Sequence, residues 1–348
     1  MKVSSVSSLV TAPWLASQLE RGAVKVIDAS WYLPAMGRDP KAEYEACRIP
    51  GAQFFDVDGT DDTSSLPHMV PSAAYFSETM QALGVGSDDH IVCYDGKGIF
   101  SSARLWWMLR AFGHHSSSVL DGGLPAWRRL DLPVESGPAA AVTPPASPFS
   151  ASLQPGAVCT ATEIVEGIAA PQWETKIVDA RSRERFEGTV AEARKGVRSG
   201  HIPRSTCLPF NLLLDAEAGT MLPPDGLLAA FKAAGVDPSA PTPLITSCGS
   251  GVTASVLMLG LDQLGRQVGH VRGTGRAAPT AVSVRVAHCV ASASDGRCGP
   301  RLRRMASPFT TARGASGAGA RTCRSPPDLR LENMRTDGRP DRRRGDVP

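Results

Sequence analysis

The chain has 348 residues, room for about two ordinary domains. Its 42% hydrophobic content excludes wholesale disorder, and no run of about 18 apolar residues is present to suggest a membrane span. The net charge of +3 is unevenly spread: residues 269–348 hold 16 Arg, no Lys and 6 acidic residues, a net of +10, which leaves −7 for the first 268 residues. A mildly acidic body is not the profile of a nucleic-acid binder.

In chain order, residues 11–19 predict a short helix with Thr11 as N-cap and Pro13 near its first turn. Residues 24–28 read as a buried strand ending on Asp28. Residues 71–83 form a helical pattern closed by Gly84, and 90–94 a strand. Residues 101–112 predict a helix rich in large apolar residues and closed by Gly113. Residues 118–121 predict a strand running into Gly122-Gly123. Strands and helices alternating at this spacing imply α/β structure, a mainly parallel sheet with helices on both faces. Residues 136–157, rich in Pro, Ala and Ser and without period, read as a linker between a first domain over 6–135 and a second over 158–268.

The second half repeats the first. Ile177-Val178-Asp179-Ala180-Arg181 echoes Val26-Ile27-Asp28-Ala29-Ser30, and Gly200-His201-Ile202-Pro203 echoes Cys47-Arg48-Ile49-Pro50-Gly51. A strand over 244–247 matches 91–94. Asp95-Gly96-Lys97-Gly98 then stands where Cys248-Gly249-Ser250-Gly251 stands, so the sulfur is in one copy only. After Gly265 the repeat fails. The strand, Gly turn and Trp of 119–127 have no evident counterpart, and residues 269–348 are expected to form an Arg-rich, disordered tail with the composition of out-of-frame translation. The second domain is therefore expected to lack its last strand.

The eight cysteines lie far apart, with no CxxC pair and no zinc spacing. That usage suggests a reducing compartment, with the cytoplasm expected and the mitochondrion as the alternative. Among the cysteines, Cys248 has a distinctive setting. A strand leads into Cys248-Gly249-Ser250-Gly251 and then into a helix starting near Thr253. Glycines there let successive N–H groups turn inward at a helix N-terminus and form an anion nest. A sulfur at its centre is favoured as thiolate, the reactive species. Ser250 and Thr253 add hydroxyl donors. A packing cysteine is the bland alternative, but it has no need of two flanking glycines. A Cys-dependent phosphatase is a second alternative. It needs Arg six positions after the Cys to clamp phosphate, and position 254 is Ala.

These residues resemble the tandem rhodanese-like sulfurtransferases, and within them the branch that acts on 3-mercaptopyruvate. The resemblance covers roughly residues 6 to 268. It rests on Cys248-Gly249-Ser250-Gly251-Val252-Thr253 together with residues 26–34, 54–58, 66–71, 120–127 and 178–181. It implies two tandem rhodanese-like domains, of which the first lacks a nucleophile. It also implies an enzyme that moves sulfur from 3-mercaptopyruvate, through a persulfide on Cys248, to a thiol acceptor such as thioredoxin, or to cyanide, releasing pyruvate. Arg185 and Arg194 would hold the α-keto acid, with Gly249, Gly251, Val252 and Thr253 of the loop around it. Ser250, His68 and Asp58 would form a proton-relay triad. No metal or organic cofactor is expected, because the protein's own thiol carries the sulfur. The thiosulfate-specific branch differs in having basic residues where Gly249 and Ser250 stand. The altered C-terminus leaves an inactive rhodanese-like binding module as a further alternative. Two local departures stand out: the family's Pro-Glu-Pro-Arg is Ala191-Glu192-Ala193-Arg194, and the Gly expected after His201-Ile202-Pro203 is Arg204.

Overall fold

The computed structural model describes residues 6–62, 68–192, 197–266 and the backbone of 284–287. Two five-stranded parallel sheets carry the architecture. The first holds β1 (Leu9–Val10), β2 (Lys25–Asp28), β3 (Gln53–Phe54), β4 (Ile91–Tyr94) and β5 (Ser117–Leu120) in the order β1-β5-β4-β2-β3. The second holds β6 (Val158–Cys159), β7 (Lys176–Asp179), β8 (Ser205–Cys207), β9 (Leu244–Ser247) and β10 (Val284–Ala287) in the order β6-β10-β9-β7-β8. The registers match as well: Lys25 pairs with Ile91 in one sheet and Lys176 with Leu244 in the other. Parallel neighbours require crossovers. These run through helices α1 (Ala12–Glu20), α2 (Pro40–Ala46), α3 (Ala73–Ala82), α4 (Ser102–Ala111) and α5 (Gly123–Arg129), then α6 (Ala161–Ala169), α7 (Arg183–Glu187), α8 (Pro224–Ala233) and α9 (Val252–Gln263).

The α/β reading, the tandem sheets and the local signals agree with this. Thr11 accepts a hydrogen bond from Trp14 N at the start of α1. Thr160 and Glu163 form a reciprocal capping box on α6. One expectation is corrected. The second sheet does have its last strand: β10 sits between β6 and β9, as β5 sits between β1 and β4. The signal was the alternation of Val282, Val284 and Val286, three β-branched residues two apart, inside sequence otherwise dominated by Arg, Ala and Gly. The rest of the expected tail lies outside the described residues.

The segment expected to be a linker carries no helix or strand over 136–157, but it is pinned to the first sheet's helices. Phe149 is buried against Phe76 and His114. Ala151 N donates to Ser77 Oγ, and Ser152 N and Gln154 N donate to the carbonyls of Phe112 and Ala111.

The two repeats share a core. Helices α4 and α9 pack against each other. Each is apolar nearly all round and correspondingly buried. Trp106, Trp107 and Leu109 of α4 join Val256, Leu257 and Leu259 of α9 in one continuous cluster. The N-termini of these two helices, and the loops that precede them, are thereby placed at the contact between repeats.

Candidate active site

Cys248 follows the last residue of β9, a central strand whose four residues are all buried. The chain then needs only three residues to enter α9. Gly251 makes the turn in the left-handed region, at φ +84°, a conformation that costs other L-residues about 1–2 kcal/mol. The turn points two amides at the sulfur: Gly251 N donates to Cys248 Sγ at 3.0 Å and Ser250 N at 3.4 Å. With the N-terminal end of a 12-residue helix behind it, the sulfur sits where negative charge is favoured. Cys248 is 8% exposed, so it is sheltered but reachable.

In the other repeat the same loop is filled differently. Asp95 is fully buried. Its Oδ2 accepts from the N–H groups of Phe100, Ser101 and Ser102 and from Ser102 Oγ, at 2.7–3.0 Å. Oδ1 accepts from Lys97 N at 2.9 Å. The carboxylate saturates the donors that the second repeat offers to sulfur.

A cleft of about 660 Å³ opens over Cys248, with walls from both repeats. The second repeat contributes Cys248, Gly249, Ser250, Val252, Thr253 and Arg185; the first contributes Asp58 and His68. All eight are site residues expected from the sequence. Gly251 shapes the loop without lining the cleft, and Arg194 lies outside the described residues. Ala254 is fully buried in α9, so no guanidinium stands at the position a phosphatase would need.

Arg185 is held by more than its own helix. Ser182 caps α7 and Gly188 ends it at φ +76°. Arg185 Nη2 pairs with Glu192 Oε2. The opposite oxygen of Glu192 accepts from Arg181 Nη1 at 2.7 Å, and Arg181 in turn grips Asp179, at the end of β7, at 2.6 Å. The Glu192 side chain is 5% exposed, so this chain of charges is braced from the sheet outward. Gly249 gives Arg185 room: a Cβ there would stand 3.1 Å from Arg185 Nη2. Arg185 Nε has no hydrogen-bond partner among the described residues.

On the facing wall, His68 Nδ1 lies 2.6 Å from Asp58 Oδ1, and Asp58 Oδ2 accepts from Trp31 Nε1 at 2.9 Å. The Trp31 and His68 rings meet edge to face, 4.6 Å between centroids. A carboxylate against Nδ1 favours the tautomer protonated there and leaves Nε2 to take up or release a proton. His68 itself is at φ +58°, in the left-handed region that favours glycine. Its carbonyl accepts from Arg104 Nη2 at 2.8 Å.

Sequence reasoning missed Trp31, Arg181 and Glu192 as parts of this site. Arg181 and Glu192 stood inside quoted motifs, but their pairing depends on how the 188–192 loop folds back on β7, for which a single sequence carries no periodic signal.

Comparison with known proteins points the same way. A rhodanese-like domain model matches residues 11–130. The chain is 42% identical over 283 residues to thiosulfate/3-mercaptopyruvate sulfurtransferase 1, mitochondrial, of Arabidopsis thaliana, spanning 76% of this chain and 73% of that one. It is 43% identical over 268 residues to 3-mercaptopyruvate sulfurtransferase of Rattus norvegicus, spanning 74% and 87%. It is also similar to the crystal structure of the 3-mercaptopyruvate sulfotransferase SseA from Escherichia coli, which has the rhodanese fold. The TM-score is 0.68 at 36% identity, and the match covers 82% of this chain and 99% of that one.

Proposed function

Because this chain belongs to the 3-mercaptopyruvate sulfurtransferase family, and is thus an enzyme of the tandem rhodanese-like sulfurtransferases, we propose that 3-mercaptopyruvate is its sulfur donor and Cys248 the sulfur carrier. The observation that carries this reading is the pairing, in one cleft, of a sulfur cradled by two amides with Arg185 on one wall and the His68–Asp58 pair on the other.

The Cys248 thiolate attacks the sulfur of the donor. A sulfur–sulfur bond forms, and the carbon–sulfur bond breaks with its electron pair moving to carbon as the enolate of pyruvate. The donor thiol's proton passes to that carbon, giving pyruvate, and Ser250, His68 and Asp58 are the groups placed to hold and relay it. The persulfide anion left on Cys248 keeps its charge within the amide cradle. Arg185 presents a planar fork that suits a carboxylate bidentately, and Arg194 is the second guanidinium proposed for the keto acid. Gly249 and Ser250 border the sulfur and Gly251, Val252 and Thr253 complete the loop; no basic residue stands among them, which suits a monoanionic donor better than thiosulfate. In the second half-reaction an acceptor thiolate, such as that of thioredoxin, attacks the outer sulfur and restores Cys248. The cytoplasm, where such thiols stay reduced, is the proposed compartment, with the mitochondrion as the alternative.

Incubation with 3-mercaptopyruvate, followed by intact-mass analysis and pyruvate assay, tests this. The expected result is a mass gain of one sulfur atom, reversed by a thiol acceptor and absent in Cys248→Ser. Equal turnover of thiosulfate would overturn the donor assignment. Folded protein that never gains sulfur would overturn the carrier role.

A further inference from the structure

Trp31, three residues past the end of β2, is tied to the Asp95 loop by both its backbone and its ring. Its backbone N donates to Ser101 Oγ at 3.0 Å. Its indole stacks on Phe100, 6.2 Å between centroids and 16° between planes. Phe100 and Ser101 are buried, and the N–H groups of both donate to Asp95 Oδ2. A buried carboxylate that holds several amides resists displacement, because any shift would strand those donors. The Asp95 loop is thus a rigid mount, and Trp31 is fixed to it. Phe100 also meets Phe210 of the second repeat at 5.6 Å, so the mount is registered against the repeat that carries Cys248.

Loop length makes this mount particular to the first repeat. Gly251, which caps α9, lies three positions after Cys248, whereas Ser101, which caps α4, lies six after Asp95. The longer loop supplies Phe100 and Ser101, the two residues that hold Trp31. At its other side Trp31 meets the relay. Its Nε1 donates to Asp58 Oδ2 at 2.9 Å, while Asp58 Oδ1 lies 2.6 Å from His68 Nδ1. The Trp31 and His68 rings meet edge to face. The Asp58 side chain is 49% exposed. A pair that open to water holds its own geometry weakly, and the terminal bond of an aspartate turns readily. With a partner on each oxygen, the carboxylate plane is set and Oδ1 stays on the imidazole.

We infer that Trp31 is a positioning residue for sulfur transfer: carried on the Asp95 loop, it holds the Asp58 carboxylate and the His68 ring in the orientation the proton relay needs. The loop without a nucleophile thereby serves the reaction of the other repeat. Trp31 lines the cleft beside Asp58 and His68, and its effect on the chemistry runs through them, since the keto acid's carboxylate belongs to Arg185 on the facing wall.

The inference rests on the Asp58–His68 relay of the proposed reaction, and the test separates the two. The first pyruvate released per Cys248 is timed by rapid quench in the full chain, across 3-mercaptopyruvate concentrations and without an acceptor. Trp31→Phe keeps an aromatic ring against His68 and removes the indole N–H. Its limiting rate should fall about tenfold while the half-saturating concentration holds within about twofold, because Arg185 still binds the carboxylate. Asp58→Ala should fall further, by about 10²-fold. Adding Trp31→Phe to Asp58→Ala should then cost less than about twofold more, as for residues acting as one unit. A native limiting rate in Trp31→Phe, or about a further tenfold loss in the double variant, overturns the inference while a slow Asp58→Ala leaves the relay standing. A native rate in Asp58→Ala overturns the relay and the inference with it. Trp31→His retains an N–H at the ring position of the indole nitrogen and should stay within about threefold of the native rate. If Trp31→Phe does not fold, a loss of about tenfold in folded Trp31→His overturns the inference in its place.

Discussion

After β4 the chain turns through residues 95–101 and closes on the carboxylate of Asp95; after β9 it turns through 248–251 and closes on the sulfur of Cys248. Both loops point amides inward at the head of a buried helix. In the first, five donors converge on a group with no exposure at all. In the second, two amides reach the sulfur, and the remaining space belongs to the cleft. The difference teaches that an anion nest becomes a reactive site only when its occupant is left short of partners. Saturating the same geometry with a carboxylate makes it a structural brace.

The comparison can be broken most directly at its two occupants. Cys248→Ser should lower pyruvate release by at least about 10³-fold. Adding Asp95→Cys should restore none of it, because position 95 is fully buried and does not line the cleft that holds Arg185 and His68; recovered turnover in the double variant would show the loops to be interchangeable. Asp95→Ala strands five donors in the core and should cost about 3–5 kcal/mol in urea unfolding, and a cost below about 1 kcal/mol would refute its role as a brace.

The strands beside these loops sharpen the contrast. Asp28 and Asp179 end equivalent strands and each accepts from the amide two residues on, Ser30 N and Arg181 N. Asp179 is gripped by Arg181, whereas Asp28 has no such cation among the described residues. Burial pushes Asp28 up to about 6 from 3.8. Its folded state therefore favours the proton, and its contribution is best below pH 4 and lost as pH rises through 4 to 6. Asp28→Asn should match the native protein near pH 4 and exceed it by about 2–3 kcal/mol above pH 6. A constant difference across that range would show that Asp28 does not titrate there.

The smallest effect concerns a turn. Gly51 is at φ +71° after Arg48-Ile49-Pro50, and Arg204 is at φ +65° after His201-Ile202-Pro203. Arg204→Gly should raise stability by up to about 1 kcal/mol, read from the thermal midpoint. Its two carbonyl contacts, to Ile168 and Trp173, oppose that gain, and a net loss would show that they outweigh the strain.

Much of this architecture is legible in the sequence, because parallel strands buried on both faces leave apolar runs and helices leave caps. The Cys248 loop is legible because glycines beside a cysteine have a geometric cause. What escaped reading depends on distant partners. β10 is four residues whose stability lies in the edges of β6 and β9 on either side. Arg104 lies in an apolar helix, where nothing local marks it as the donor to the distant His68 carbonyl. Phe149 gives the 136–157 segment its anchor only because Phe76 and His114 stand ready to receive it.

The position of β10 also bears on how the chain is made. β6 pairs with β10 and with no other strand among those described. The strand that opens the second repeat thus has nowhere to dock until the strand that closes it has left the ribosome, more than a hundred residues later. Once β9 has emerged, and until β10 follows, its flank is an unpaired edge of the kind that recruits other strands. The first repeat, complete once Leu120 emerges, is by then available as a surface on which α9 can settle. Synthesis order alone thus makes the first repeat a folding platform for the second.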